Sequence, residues 1–425
     1  MPGYRALTRN RDFTILWIGE TVSELGTTMS LFAIPLLGYH LSGSAVTAAW
    51  VEAAHLLGLC AVLLPAGVLA DRVDRKRLMM ACSAVGLAAF GSLALAGALG
   101  HLTLIHLAVS GLLGGAAFGC MMPAQSSAIR SVVSTEDLPT ALSQNQARQH
   151  VAGLLGGPIA GFLYAVTRWL PFAADAATFV VSLLTLSHLR TDLSPDPTIE
   201  RSRGILRPVR EGFAFIGGQA FLRVLAVWAA GANLVFNALF FVVMIRMLKD
   251  GYATTWIGLT STAAGLGGLL GAAVAPSIIE RTRTGTLTVA IAWATALPVV
   301  PLIWWSHPAA VAACLFVFLL LNPAGNAGIS AYRMAMTPDH LQGRVSSALQ
   351  FASMGLMPLA PLAGGILLER LGGGVAVAAA VVAGLLLALL VSSSRSIREV
   401  PRPCDWQPSP NPVRLPDDSA GATRQ

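Results

Sequence analysis

Charge is scarce in this chain. Only 12% of its 425 residues are Asp, Glu, Lys or Arg, about half the share of an ordinary soluble protein. Lys76 and Lys249 are its only lysines. No Gly-x-x-x-x-Gly-Lys-Ser/Thr loop occurs, which excludes a nucleotide-phosphate cradle of that type and argues against transport driven by ATP hydrolysis within the chain. The five cysteines (Cys60, Cys82, Cys120, Cys314 and Cys404) have neither metal-ligand nor disulfide spacing. No cluster of catalytic residue types occurs either. The sequence therefore points to a protein that is not an enzyme and needs no metal or cofactor. The basic balance, +7 with a pI near 9.6, does not point to nucleic acid, because the arginines sit in short loops between apolar segments.

What is present is apolar length. Hydrophobic residues make up 55% of the chain and the mean hydropathy is +0.67. Crossing the hydrocarbon core takes about 20 apolar residues in a helix, and twelve such stretches can be marked between residues 13 and 394. They include 13–39, 148–166, 286–305, 308–331 and 345–367 as the first, fifth, ninth, tenth and eleventh. The first lacks a credible cleavage site and is expected to remain as an anchor. With both termini inside, only Arg168, Arg246, Lys249 and Arg370 fall on the outer side, a strong positive-inside bias. The expectation is a multi-pass, bacterial-type inner-membrane protein with both termini cytoplasmic, in contact with lipid and monomeric. Its parts would be an N-terminal six-helix half (1–189), a cytoplasmic linker (190–220), a C-terminal six-helix half (221–396) and a disordered cytoplasmic tail (397–425).

The halves repeat weakly. A shift of 203 residues brings Arg130 onto Arg333, Pro158 onto Pro361 and Gly161 onto Gly364. Internal repeats of this kind suggest a secondary transporter with its site between the halves. The densest charge lies between the second and third stretches, where Gly67, Asp71, Arg72, Arg75 and Lys76 form a short basic turn. This turn resembles the signature of the major facilitator superfamily, with Asp74 standing where the strict pattern has Gly. The opening Arg11-Asp12-Phe13 and Leu16-Trp17-Ile18-Gly19-Glu20, together with Leu41-Ser42-Gly43-Ser44-Ala45, resembles bacterial drug exporters of the macrolide and siderophore type. The resemblance implies an all-α fold of two pseudo-symmetric six-helix bundles. It also implies a turn that latches the halves on the cytoplasmic side, and a midplane cavity lined by spans one, two, four, five, seven, eight, ten and eleven. Gly153, Gly157, Pro158 and Gly161 are similar to the antiporter signature of the fifth helix, with Phe162 in place of its final Gly.

Membrane-embedded acids carry the mechanistic expectation, since a charge at the bilayer centre costs about 2.5–3.5 kcal/mol on insertion scales. Glu20 and Glu24 share a face of the first span, and Glu52 lies on the second near His55. Glu24 is the leading candidate for proton coupling, with Glu20 and Glu52 behind it; a structural carboxylate is the alternative for each. Asp175 reads as an interfacial residue near Arg168. Asn233 and Asn237, and Asn322 and Asn326, are i, i+4 amide pairs that either bond between helices or contact substrate. Asn233, Phe236, Asn237 and Asn326 are the cavity candidates. The functional expectation is proton-coupled efflux of a small drug-like or metabolite-like molecule. A nutrient importer of the same fold and a non-transporting membrane sensor or scaffold remain as alternatives.

Overall fold

A computed structural model describes residues 10–134, 136–194, 206–338 and 341–406. Among these, every regular element is helical. The first half is six uninterrupted helices: α1 (Arg11–Ser42), α2 (Ala45–Arg72), α3 (Arg75–Ala98), α4 (Leu104–Val132), α5 (Leu138–Val166) and α6 (Leu170–Ser187). Their starts are set by side-chain caps: Asn10, Ser44, Asp74 and Thr103 each accept a backbone N–H from the first turn of α1, α2, α3 and α4. α1 ends on Gly43, whose φ of 68° few other residues tolerate.

The second half is built from shorter pieces. After α7 (Leu206–Gly218) come α8 (Ala220–Lys249) and α9 (Thr254–Arg281), both whole. The ninth span then splits into α10 (Thr284–Ala294) and a tighter turn at Leu297–Ile303 that contains Pro298 and Pro301. The tenth splits into α11 (Pro308–Leu320) and α12 (Asn322–Met336) just before Pro323. The eleventh splits into α13 (Gln342–Met354) and α14 (Leu359–Leu371), between Gly355 and Pro358. Proline removes a backbone donor and clashes with the preceding turn, so each break has a local cause. α15 (Gly373–Ser393) and the short α16 (Arg395–Arg398) complete the chain of helices.

Three expectations need adjustment. The fifth span does not begin near 148: α5 starts at Leu138, so Arg148 lies well inside the helix. The stretch expected as a plain linker, 190–220, carries the amphipathic α7, which docks on α13. Glu211 pairs there with Arg344, and the rings of Phe213 and Phe351 meet edge to face with centroids 6.5 Å apart. The first residues of the expected disordered tail are packed, with Ile397 and Val400 buried. Val400 and Pro401 turn their carbonyls to the free N–H groups of Gly285 and Thr284, at 3.2 Å each. Trp406 sits against Tyr332 with centroids 5.5 Å apart. Residues 407–425 lie outside the described residues.

The buried apolar side chains fall into three clusters. One joins residues of both halves, among them Phe32, Ala49, Leu239, Ile257 and Val377. The second lies within the C-terminal half, around Phe221, Leu222 and Val345. The third lies within the N-terminal half, around Phe13, Leu78 and Leu186, beside the turn at 72–75. The halves therefore share a core at the end away from that turn and keep separate cores at the end that carries it.

Small residues make the shared end possible, as close helix packing in lipid requires. A Cβ added at Gly161 would strike the carbonyl of Thr254, and one added at Gly258 would strike that of Gly157. Across the pseudo-symmetric contact, a Cβ on Gly365 would strike Ala49 and the carbonyl of Ala45. Thus α5 meets α9 and α2 meets α14, the same pair of contacts seen from each half of the repeat.

Candidate functional site

Below the shared core the halves part around a cavity of about 610 Å³. Its walls come from α1, α2, α4 and α5 on one side, and from α8, α9, α11, α12 and α13 on the other. These are the eight spans that the sequence resemblance implied. The N-terminal wall presents Glu52, His55, Gln149 and His150; the C-terminal wall presents Phe236, Asn237, Phe240 and Ser261. Asn322, Pro323, Met354 and Met357 place the breaks of the tenth and eleventh spans at this same cavity.

Of the acids singled out in the sequence, only Glu52 lines this cavity. Its Oε2 is buried and has no hydrogen-bond partner among the described residues. Glu24 belongs to a second, water-sized chamber inside the N-terminal half, with Ser23, Thr27, Ser30, His55 and Gln125 around it. His55 is the one polar side chain that lines both spaces. Its Nδ1 lies 3.1 Å from the carbonyl of Gly111. That contact makes Nδ1 the protonated nitrogen of the neutral ring and leaves Nε2 as an acceptor.

Glu20 sits elsewhere, 3.6 Å from the guanidinium of Arg148. The two residues are only 7% and 2% exposed. Arg148 also donates through Nε and Nη2 to Asn145 Oδ1, at 3.2 and 2.8 Å. The sequence reading missed Arg148 because it placed the start of the fifth span on that very residue. A signal was there: α1 and α5 are the two long N-terminal helices too polar to count as candidate spans by hydropathy. They are the pair whose charges meet. Asp175, five residues into α6, is wholly buried and accepts hydrogen bonds from Ser30 Oγ at 2.5 Å and Thr178 Oγ1 at 3.3 Å, with none from Arg168 among the described residues.

The basic turn gains a clear local account. Asp74, in the position of a glycine, caps α3 by accepting the N–H groups of Lys76 and Arg77 at 2.9 and 3.4 Å, and pairs with Arg77 at 3.4 Å. Arg75 donates to the carbonyl of Ala70 and to Ser131, each at 3.3 Å. Lys76 reaches the carbonyl of Leu189 at 2.8 Å, beyond the end of α6, where a cation suits the helix dipole. All of these partners lie in the N-terminal half. Arg72 is exposed, Gly67 has open space where a Cβ would be, and the side chain of Asp71 lies outside the described residues.

At the opposite end the halves are bound by polar contacts as well. Glu369 of α14 accepts from Ser44 Oγ at 2.8 Å and from the backbone N–H of Val46 at 2.9 Å, so a carboxylate of one half caps a helix of the other. Thr254 Oγ1 donates to the carbonyl of Gly161 at 3.0 Å. The fifth-helix motif spans both features: Gly157, Pro158 and Gly161 press on α9, while Gly153 and Gly157 line the cavity.

Among the described residues the amides bond within their own helices. Asn233 and Asn237 donate to carbonyls of their own helix, at 2.9 and 2.8 Å, and Asn326 donates to Asn322 Oδ1 at 2.7 Å. Phe236 and Asn237 line the central cavity; Asn326 lines a separate space of about 320 Å³ with Arg333.

Residues 16–360 match the pattern of the Major Facilitator Superfamily. The chain belongs to that superfamily. It is a multi-pass membrane transporter and not an enzyme. It is 28% identical over 382 residues to the multidrug efflux pump Tap of Mycolicibacterium fortuitum, covering 84% of this chain and 90% of that one. It is 25% identical over 359 residues to the enterobactin exporter EntS of Salmonella choleraesuis, covering 80% and 82%. Among solved structures, a bacterial homologue of the iron transporter ferroportin in its inward-facing state aligns with a TM-score of 0.71. Its identity is 15%, over 90% of this chain and 98% of that one. The nucleoside transporter NupG aligns at 0.69 with 13% identity, over 89% and 99%. These likenesses confirm the superfamily fold of two six-helix bundles.

Proposed function

We propose that this superfamily member exports small drug-like or metabolite-like organic molecules from a bacterial cell by proton-coupled alternating access. The observation that carries the reading is the pair of adjoining spaces. A substrate-sized cavity lies between the halves, and a small chamber holding Glu24 lies behind it, with His55 lining both. A binding site and a proton site that share a wall can exchange influence without sharing atoms. The arginine-rich loops support an orientation with both termini and the turn at 72–75 on the cytoplasmic side. In that orientation the structure is closed outside, at Glu369 and the α5–α9 contact, and parted inside. The efflux pumps among its relatives favour export as the direction.

Magnitudes limit what the proton does. Swinging a two-state equilibrium from 1:99 to 99:1 takes about 5.5 kcal/mol, and neutralising one buried carboxylate removes about 2.5–3.5 kcal/mol of cost. Protonation of Glu24 alone therefore supplies about half the swing, and differential binding of substrate supplies the rest. Glu20 is less suited to the role, because it lies 3.6 Å from Arg148 and away from the cavity. The turn at Asp71, Arg72, Arg75 and Lys76 would serve as the latch that closes the inner side in the other state.

The test is ethidium uptake into energised inverted vesicles, where an exporter pumps inward. Collapsing the proton gradient should abolish accumulation, and Glu24→Gln should cut the gradient-driven rate at least tenfold with the protein still folded. Export that survives an uncoupler would sink proton coupling. A fully active Glu24→Gln would move the role elsewhere.

A further inference from the structure

The cavity and the acids together specify a ligand charge. We infer that the central cavity binds lipophilic organic cations, with the Glu52 carboxylate as their counter-charge and the rings of Phe236 and Phe240 as their apolar face. This rests on the reading of that cavity as the substrate path. Among the described residues of the wall Glu52 is the sole carboxylate, and no lysine or arginine accompanies it. The other membrane-embedded acids of the N-terminal half are disposed of differently: Glu20 faces Arg148, Asp175 is satisfied by two hydroxyls, and Glu24 lies in the chamber behind. Among these acids, Glu52 alone has a buried oxygen with no hydrogen-bond partner among the described residues while lining the central cavity.

A buried carboxylate without a partner is costly, and a cation beside it recovers that cost. The facing wall suits the rest of such a guest. Phe236 lies with its ring centroid 6.2 Å from that of Phe240 and 5.1 Å from that of Phe318, and aromatic faces attract cations. Met354 and Met357 add adaptable apolar surface. An anion would meet the opposite conditions. It would face Glu52 with only His55 and His150 for balance, and His55 already has one nitrogen engaged by Gly111. The volume of about 610 Å³ falls within the usual range for small-molecule sites, about 300–1,000 Å³.

Tetraphenylphosphonium and tetraphenylborate have nearly the same shape and opposite charge, which makes them the decisive probes. Equilibrium dialysis against the purified full-length protein in detergent, with empty micelles as baseline, should show the phosphonium bound at least tenfold more tightly. Glu52→Gln should reduce that preference at least tenfold. Equal affinities in the unaltered protein, tighter binding of the borate, or an undiminished preference in folded Glu52→Gln would each overturn the inference. The comparison of probes in the unaltered protein stands even if the variant does not fold. No gradient is present in this measurement. A protein that prefers the phosphonium yet exports it without a proton gradient would therefore refute the coupling reading and leave this one intact.

Discussion

The two halves share a fold and divide the labour. In the N-terminal half every span is one helix, and every fully buried charged side chain among the described residues is there: Glu20, Arg148 and Asp175, with His55 beside them. In the C-terminal half the fully buried polar residues are threonines, and three of six spans are broken. Fixed charges need rigid surroundings, because a guanidinium and a carboxylate in lipid tolerate no loss of partner. Broken helices offer hinges, and two of the three breaks border the cavity. One half is therefore built to hold a charge arrangement, and the other to change shape around it.

The sharpest way to break this contrast is Arg148→Leu. Removing one partner of a buried pair leaves the other uncompensated, at about 3–5 kcal/mol. A large fall in melting temperature is expected, restored in good part by adding Glu20→Leu. If the single variant melts like the unaltered protein, the N-terminal half is not held by its charges. A smaller effect is expected at the seam. Glu369→Gln should weaken two hydrogen bonds to a charged group, at about 1 kcal/mol. It should raise labelling of a cysteine placed at Ala49, which the closed end of the bundle buries against Gly365, and unchanged labelling would remove Glu369 from the seal. The mildest effect belongs to Asp74→Gly, since glycine is itself a fair helix cap and the exchange costs a few tenths of a kcal/mol. Export should change less than twofold. A severe loss would mean that Asp74 does more than cap α3.

Much of the fold was legible in the sequence because apolar length and arginine placement are global signals. The turn at 67–77 and the repeat that pairs Gly161 with Gly364 follow from patterns that survive small boundary errors, and the eight cavity-lining spans follow from the family resemblance that those patterns carry. The charge network was less legible because it depends on which helix face meets which. Glu20 and Glu24 stood out as acids, but Arg148 was concealed by the polar run Ser143-Gln144-Asn145-Gln146, which reads as a loop and is the inner third of α5. Asp175 shows the same limit. Its neighbour in sequence suggested Arg168, whereas its partner in space is Ser30, on another helix. Pro323 and Pro358 were visible, but no local pattern tells a kinked span from one that breaks at a cavity.

The chain beyond α16 returns to cap the start of α10, lending the carbonyls of Val400 and Pro401 to the amides of Gly285 and Thr284. That has a practical consequence for anyone handling the protein. A purification tag or fluorescent fusion belongs after Trp406, and a trimmed version that stops at Ser394 would strip the ninth span of its borrowed acceptors.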